Sequence, residues 1–224
     1  MSNTEASNGL SAETADGPPM YHKIFVTASP LGIDPNETFP PVLGDFGGFA
    51  AADWTCTYYA FLAGMVSDWD GVTPVFQAIL STSDANARDR NLIEGAVIST
   101  SGETVAADST EFWSGFHSAM INYDENGSPV PANSPVWTGT SGDGTWSGQS
   151  CDKWNDQIPL GTVGTTASAT SAWTEDNTRD CALSARLYCI SPAMVVPEPS
   201  SFILLTIGAV GLLAYGWRRR FQRH

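Results

Sequence analysis

The stretch GDFGGFAAADWTCTYYAFLAG, residues 44–64, holds the clearest helical pattern in the chain. Apolar side chains recur along it at alternating spacings of three and four, at Phe49, Ala52, Cys56, Tyr59 and Ala63. This spacing places them on one face of a helix, and Gly64 is a residue type that commonly ends a helix. The sequence therefore predicts one helix here, with Cys56 on its apolar face.

Short strand-like segments lie on both sides of this helix. The clearest are KIFVTA before it, and FQAIL and LSARLYCI after it, at Lys23–Ala28, Phe76–Leu80 and Leu183–Ile190. Shorter apolar pieces, at Ala96–Ile98, Thr104–Ala106 and Val136–Trp137, alternate with turn signals such as Asn126-Gly127. Residues 138–150 are rich in Gly, Ser and Thr and are expected to be irregular. One helix with many short strands and long loops predicts a single α+β domain.

Charge is distributed unevenly along the 224 residues. Residues 1–199 hold all 24 acidic side chains and six basic ones, which gives this part a formal net charge of −18. Residues 200–224 carry four arginines and no acid, for a charge of +4. Because a phosphate backbone requires a basic patch, the acidic body argues against a nucleic-acid partner. A low charge density with many Gly, Ser, Thr and Trp residues favours an extracytoplasmic protein.

The C-terminal segment has the pattern of a membrane-spanning helix. Residues 201–217 contain no charge, and three arginines follow at once. As a helix this run is about 25 Å long, close to the ~30 Å of a hydrocarbon core. The arginines are expected to stay in the cytoplasm, which leaves the body outside. The alternative, a buried C-terminal core helix, would require burying the arginines.

A Pro-Glu-Pro triplet precedes this segment, and the whole arrangement resembles the PEP-CTERM sorting signal of Gram-negative bacteria. Its parts are the triplet Pro197, Glu198 and Pro199, one apolar helix, and the cluster Arg218, Arg219 and Arg220. The resemblance implies export, transient anchoring in the inner membrane and processing by an exosortase-type protease. The final location would be the cell surface or the extracellular matrix. Such proteins are associated with bacteria that produce exopolysaccharide and form biofilms or flocs.

The sequence divides into five segments on this basis. They are a polar lead-in expected to be disordered (1–19), the α+β domain (20–191), a linker (192–200), the transmembrane helix (201–217) and a basic cytoplasmic tail (218–224). A Sec signal needs a basic start and an apolar stretch. Residues 1–19 show neither, so we expect the export signal to lie in a segment upstream of Met1.

Four cysteines, at positions 56, 151, 181 and 189, predict two disulfide bonds in an exported domain. Three connectivities are possible. Pairing Cys181 with Cys189 is disfavoured on an extended segment, because eight residues of strand span about 26 Å. The Cα atoms of bridged cysteines lie within about 7 Å of each other. A zinc site is disfavoured because no pair of cysteines has the spacing of a zinc knuckle.

Several short blocks of the body carry a second resemblance. They are GDFGGFAAAD at Gly44–Asp53, FQAILS at Phe76–Ser81, VWTGT at Val136–Thr140, CDKW at Cys151–Trp154 and RLYC at Arg186–Cys189. In this order they are similar to bacterial extracellular domains with an endostatin-like, C-type-lectin-like fold. The resemblance spans about residues 23–190. It implies an α+β domain with a long loop region and nested disulfides, Cys56–Cys189 and Cys151–Cys181.

The triplet Trp154-Asn155-Asp156 matches a triplet of sugar-binding C-type lectins, in which Asn and Asp oxygens bind Ca²⁺. Asn155 and Asp156 are therefore candidate Ca²⁺ ligands, and calcium is the one cofactor that the sequence suggests. Those lectins also carry a Glu-Pro-Asn or Gln-Pro-Asp triplet, and neither occurs before Cys151. The alternative places Trp154 in the core and starts a turn at Asn155.

Seven tryptophans precede the C-terminal segment. We expect Trp137 and Trp154 to lie in the core. Trp146 and Trp173 occur in polar, glycine- and serine-rich surroundings, which favours exposure. Because exposed aromatic rings mark binding surfaces, Trp146 and Trp173 are candidate ligand-binding residues.

Sequence motifs for catalysis are missing. The body has only two histidines, His22 and His117, and the chain contains no G-x-S-x-G, H-E-x-x-H or P-loop motif. We therefore expect no enzyme activity. The favoured function is an exported cell-surface or matrix protein that binds extracellular polysaccharide or a surface protein. The alternatives are a Ca²⁺-dependent lectin and a polysaccharide hydrolase that uses a pair of carboxylates.

Overall fold

The computed structural model describes residues 19–28, 46–156 and 159–196, and these form a mixed fold dominated by a β-sheet. The strands are β1 (Met20–Val26), β2 (Gln77–Ala78), β3 (Ala96–Ser99), β4 (Thr104–Ala106), β5 (Pro135–Trp137), β6 (Leu160–Thr165), β7 (Asn177–Asp180), β8 (Arg186–Ile190) and β9 (Met194–Val195). One long helix, α1, spans Gly48–Leu62. Single helical turns occur at Ala87–Arg90, Ser109–Phe112 and Ser171–Trp173, and Cys151–Trp154 forms a left-handed turn. The predicted α+β class is confirmed.

The sheet is organised around β1 and β8. The strand order is β4-β3-β1-β8-β5-β6-β7, with β2 added to β8 and β9 added to β1. β1 is antiparallel to β8, so that Phe25 lies opposite Cys189, and it is parallel to β3. β5 is parallel to β8 and antiparallel to β6. The first and last long strands of the body are therefore direct neighbours.

Both faces of this sheet are covered. Because successive strand residues point to opposite faces, Phe25 and Leu187 pack into one cluster together with Ala52 and Cys56 of α1. Ile24 and Val26, with Tyr188 and Ile190, pack into a second cluster with apolar residues of the loops and short turns. All five residues of β8 are buried for this reason.

The observed elements agree with most of the sequence prediction and add three strands to it. α1 covers the predicted helix, and residues 138–150 contain no named strand. The last predicted strand begins at Arg186 instead of Leu183, and only Gln77–Ala78 of the predicted Phe76–Leu80 strand pairs with the sheet. Strands β6, β7 and β9 were not predicted. The pairing of β9 with Met20 and Tyr21 extends the sheet to Val195, past residue 191, where the sequence predicts the end of the domain.

Two disulfide bonds are present, as the even cysteine count predicts. Cys56 on α1 is bonded to Cys189 on β8, and Cys151 is bonded to Cys181. Both bridges lie in the core cluster between α1 and the sheet. The first bridge fixes the helix to the central strand, and the second joins the segments that flank β6 and β7.

A buried ion pair also ties α1 to the sheet region. Asp53 on α1 is 7% exposed, and its Oδ2 accepts a hydrogen bond from Arg90 at 2.8 Å. Its Oδ1 accepts from the Ala78 backbone N–H of β2. Arg90 also donates to the Ala78 carbonyl oxygen and lies over the Phe49 ring. Burial raises the pKa of Asp53, and the nearby guanidinium of Arg90 opposes that effect.

Candidate binding surfaces and the sorting motif

Trp146 lies on an exposed hairpin-like loop. Its backbone pairs with Thr140, and its backbone N–H, not the indole, donates to Asn86 Oδ1 at 3.0 Å. The tip of this loop is held by a hydrogen bond from the Gly144 N–H to the Ser141 carbonyl oxygen. The Trp146 side chain is 39% exposed. The structure therefore presents this ring on the surface, where the sequence predicted it.

The prediction that Trp173 is an exposed ligand-binding residue is wrong, because its side chain is fully buried. It contacts the rings of Phe112, His117 and Tyr188 on the second face of the sheet. The backbone of this turn lies directly against Gly164, where an added Cβ would come within 1.7 Å of the Trp173 carbonyl oxygen. Only a glycine in β6 allows this close approach. Trp137 and Trp154 are also fully buried, as predicted.

The candidate calcium ligands Asn155 and Asp156 lie beside an unusual turn. Cys151, Asp152, Lys153 and Trp154 all have positive φ, from 47° to 66°, which costs a non-glycine residue roughly 1–2 kcal/mol. Burial of Trp154, whose indole N–H donates to the Ser81 carbonyl oxygen, and the Cys151 disulfide hold the turn in place. Asn155 and Asp156 follow it on the surface.

This turn does not gather several acidic side chains. The Asn155 amide donates to the Lys153 carbonyl oxygen, and Lys153 forms an ion pair with Asp84 at 2.7 Å. Within residues 19–28, 46–156 and 159–196, no group of three or more His, Cys, Asp or Glu side chains is placed to hold a metal ion. The Ca²⁺ site at Asn155 and Asp156 therefore stays a prediction.

A cluster of four aromatic rings on the outer side of α1 was missed in the sequence. Trp54, Tyr58 and Phe61 follow one another at i, i+4 and i+7 on the helix, and Trp69 lies against all three. The signal was available, because this spacing defines a second stripe on the same helix. Only the first stripe was assigned from the sequence. This stripe, here called the Cys56 stripe, consists of Phe49, Ala52, Cys56, Tyr59 and Ala63 and predicts the face of α1 that packs on the core.

His22 is held by backbone groups on both sides of its ring. Its Nδ1 donates to the Ser191 carbonyl oxygen at 2.8 Å, and its Nε2 accepts from the Glu94 N–H at 2.9 Å. A cavity of about 280 Å³ lies beside it, lined in part by Arg90, Asn91 and Ile190. Because both nitrogens of His22 are engaged, neither is available to transfer a proton to a ligand in this cavity.

A second buried charge cluster lies where β1 ends. Arg186 is 5% exposed and donates to the carbonyl oxygens of Thr27 and Ala28. Glu125 is 7% exposed and accepts from the Ala28 N–H at 3.0 Å. Burial raises the pKa of Glu125 and lowers that of Arg186. Arg186 and Glu125 thus bind the backbone groups that follow the last residue of β1, and we assign them a structural role there.

His117 is buried between aromatic rings. Its ring stacks on Phe112 and lies 4.6 Å from the Trp173 ring, measured between centroids. Its Nε2 donates to the Phe112 carbonyl oxygen at 3.0 Å, and its Nδ1 has no hydrogen-bond partner in the described part of the chain. Burial lowers the pKa of His117 from its ordinary value of 6.5. The folded protein therefore favours the neutral ring.

This lowered pKa predicts a loss of stability in mild acid. The unfolded chain takes up a proton at His117 near pH 6.5, and the folded chain does so only at lower pH. The stabilising contribution is therefore complete above pH 6.5 and falls as the pH drops below it. We expect His117→Phe, which keeps an aromatic ring, to remove this part of the pH dependence.

The measurement compares urea denaturation of wild type and His117→Phe between pH 7.5 and pH 5. The free energy of unfolding of wild type should fall more steeply, by at most about 1.4 kcal/mol per pH unit for one proton. The carboxylates titrate in both proteins, so their effect cancels in the difference. Parallel pH profiles would show that His117 does not control this stability.

The lead-in and the C-terminal segments were assigned from the sequence, and most of their residues lie outside the described part of the chain. This applies to residues 1–18 of the lead-in, to residues 197–200 of the linker, and to the predicted membrane helix 201–217 with its basic tail 218–224. Among the helices that the structure describes, none is long and apolar enough to cross a membrane.

Comparison with known proteins identifies the C-terminal segment. Residues 195–220 match the model of the PEP-CTERM protein-sorting motif. The match includes Pro197, Glu198 and Pro199 and the three consecutive arginines 218–220. No curated protein matches the chain. The chain therefore carries a PEP-CTERM sorting motif, which indicates an exported protein that is transiently anchored in a membrane and processed by an exosortase.

Proposed function

We propose that this chain is a binding protein of the cell surface or extracellular matrix, delivered there by its sorting motif. The observation that carries the proposal is the motif at residues 195–220, directly after a body with two disulfides. Disulfide bonds persist in oxidising compartments, which agrees with export. In the proposed topology, residues 201–217 span the membrane and the arginines stay inside.

We also propose a C-type-lectin-like, endostatin-like fold for the body. Three observations support it. The disulfides are nested, with Cys56–Cys189 enclosing Cys151–Cys181. The long helix α1 packs against the sheet, as in an α+β domain. The long stretch from residue 100 to residue 150 contains only short strands and turns.

The proposed activity is binding of extracellular polysaccharide or of another surface protein. The exposed Trp146 ring and the outer aromatic cluster of α1 supply surfaces of a kind that such ligands use. Binding is favoured over catalysis because His22 is fully engaged and His117 is enclosed by rings. The proposed setting is the exopolysaccharide matrix of a biofilm.

Fractionation of the producing bacterium tests this function. The full chain, expressed from its own locus, is compared with a variant that lacks residues 197–224. The full chain should be found at the cell surface or in the matrix, and the variant should be absent from that fraction. A matched control truncates only the final residues 221–224, beyond the matched motif, and should behave as the full chain. Recovery of all three proteins in the cytoplasm would refute the proposal.

A further inference from the structure

We propose that the outer aromatic cluster of α1 is a binding site for a neutral polysaccharide chain. The site, here called the aromatic platform, consists of Trp54, Tyr58 and Phe61 on α1 and Trp69 on the loop that follows. This proposal rests on the proposed binding function and gives it a location and a ligand class.

The four rings pack against one another on the outer side of α1. Trp54 and Tyr58 are nearly parallel, with centroids 5.5 Å apart and an interplanar angle of 5°. Trp69 lies 5.2 Å from Trp54 and 5.7 Å from Phe61. The Phe61 side chain is 40% exposed, and the other three rings are half-buried. The exposed Phe61 ring and the Trp69 ring beside it are therefore the parts of the platform that a ligand would contact.

Hydrogen bonds to the backbone hold the tryptophans in place. The Trp54 indole N–H donates to the Gly71 carbonyl oxygen, and the Trp69 indole N–H donates to the Thr73 carbonyl oxygen. Asp70 between them accepts from the backbone N–H groups of Val72 and Thr73. A ligand that binds rings already held in position loses less affinity to side-chain ordering.

Helix α1 contains very few charged side chains. Its single charged residue, Asp53, is buried and points away from solvent into the Arg90 ion pair. Leu62 and Val72, next to the platform in sequence, are 59% and 76% exposed. An exposed apolar surface of this kind marks an interaction site in soluble domains.

The charged residues around the platform favour a neutral ligand over an anionic one. Residues 46–76, which contain the whole platform, include no Lys, Arg or His. Asp68 and Asp70 are exposed beside the rings, and hydrogen bonds from the backbone N–H groups of Thr73 and Val72 lower the pKa of Asp70. These carboxylates repel anionic polymers and anionic lipid. They accept hydrogen bonds from hydroxyl groups, while the apolar C–H face of a neutral sugar ring can lie on an aromatic ring.

Affinity electrophoresis of the full, oxidised chain in mild detergent tests this site. The gels contain hydroxyethyl cellulose or dextran as neutral probes and alginate as an anionic probe. A neutral probe should retard the wild type and alginate should not. Trp69→Ala and the exposed Phe61→Gln should each weaken the apparent affinity about tenfold, a 1.4 kcal/mol change. Phe116→Gln, which removes an exposed ring on another loop, is the matched control and should bind as wild type.

Each other result decides against the site. No retardation by either neutral probe, or equal weakening by Phe116→Gln, overturns it. Retardation by alginate alone overturns the charge argument. Self-association that Phe61→Gln abolishes would assign the platform to a second copy of this chain instead. Circular dichroism checks that Phe61→Gln is folded. Because the fractionation experiment reads location and not binding, a failure of the platform leaves the proposed export and delivery intact.

Discussion

Replacing Cys56 and Cys189 together by alanine is expected to lower the free energy of unfolding by about 5 kcal/mol. The bridge joins residues 133 positions apart, so its removal frees a very large loop in the unfolded chain. Both sulfur atoms are buried between α1 and β8, and their loss also removes packing there. Because a domain of this kind has about 5–15 kcal/mol of net stability, this loss removes between about a third and all of it.

The second bridge supplies the matched comparison. Cys151 and Cys181 are 30 positions apart, and the same chain-entropy relation gives about 3.6 kcal/mol for their replacement by alanine. Urea denaturation of the two double variants under oxidising conditions measures both losses. A larger loss for the Cys151 and Cys181 variant would contradict the ranking, and peptide mapping that joins Cys56 to Cys151 would contradict the pairing itself.

Arg90→Met is expected to cost about 3–5 kcal/mol, because it leaves the buried Asp53 carboxylate without its partner. Arg90 also donates to the Ala78 and Leu80 carbonyl oxygens, and these acceptors would lose a donor. With the guanidinium gone, the pKa of Asp53 should rise further, so the loss should shrink as the pH falls and the carboxyl is protonated. Urea denaturation at pH 7 and pH 4.5 measures both effects.

A double-mutant cycle separates the ion pair from simple loss of packing. Asp53→Asn keeps an oxygen that can accept the Ala78 N–H, and combining it with Arg90→Met removes both charges. If the ion pair dominates, the double variant should be more stable than the sum of the two single losses predicts, by about 0.5–3 kcal/mol. Strict additivity would show that Asp53 and Arg90 contribute independently.

The helix and the central strands could be predicted because their side chains are buried in a regular pattern. The Cys56 stripe of α1 and the apolar run of β8 both follow this rule. β7 could not be predicted, because its residues Asn177–Asp180 are polar and mostly exposed. It is held by backbone pairing with β6, and such pairing does not require an alternating apolar pattern of side chains.

The candidate site residues were harder to predict because long-range contacts decide their environment. Trp173 has polar neighbours in sequence, and the backbone of its turn packs directly against Gly164 of strand β6. Asp53 and Arg90 are 37 positions apart, with no local signal that joins them. The left-handed turn at Cys151–Trp154 contains no glycine, so only the bridge to Cys181 and the burial of Trp154 account for it. Exposure of Trp146, by contrast, follows from its polar, glycine- and serine-rich neighbours in sequence.

The central claim is that an exported, disulfide-bonded body is sorted through the C-terminal motif. Its most direct test is the intact mass of the protein recovered from a host that contains an exosortase, beside a variant with Pro197, Glu198 and Pro199 replaced by alanine. Wild type should be recovered outside the cytoplasm without the thiol hydrogens of its four cysteines and with a mass reduced by removal of the tail. The variant should keep its tail. Recovery of both proteins in the cytoplasm, reduced and with the tail intact, would contradict the claim.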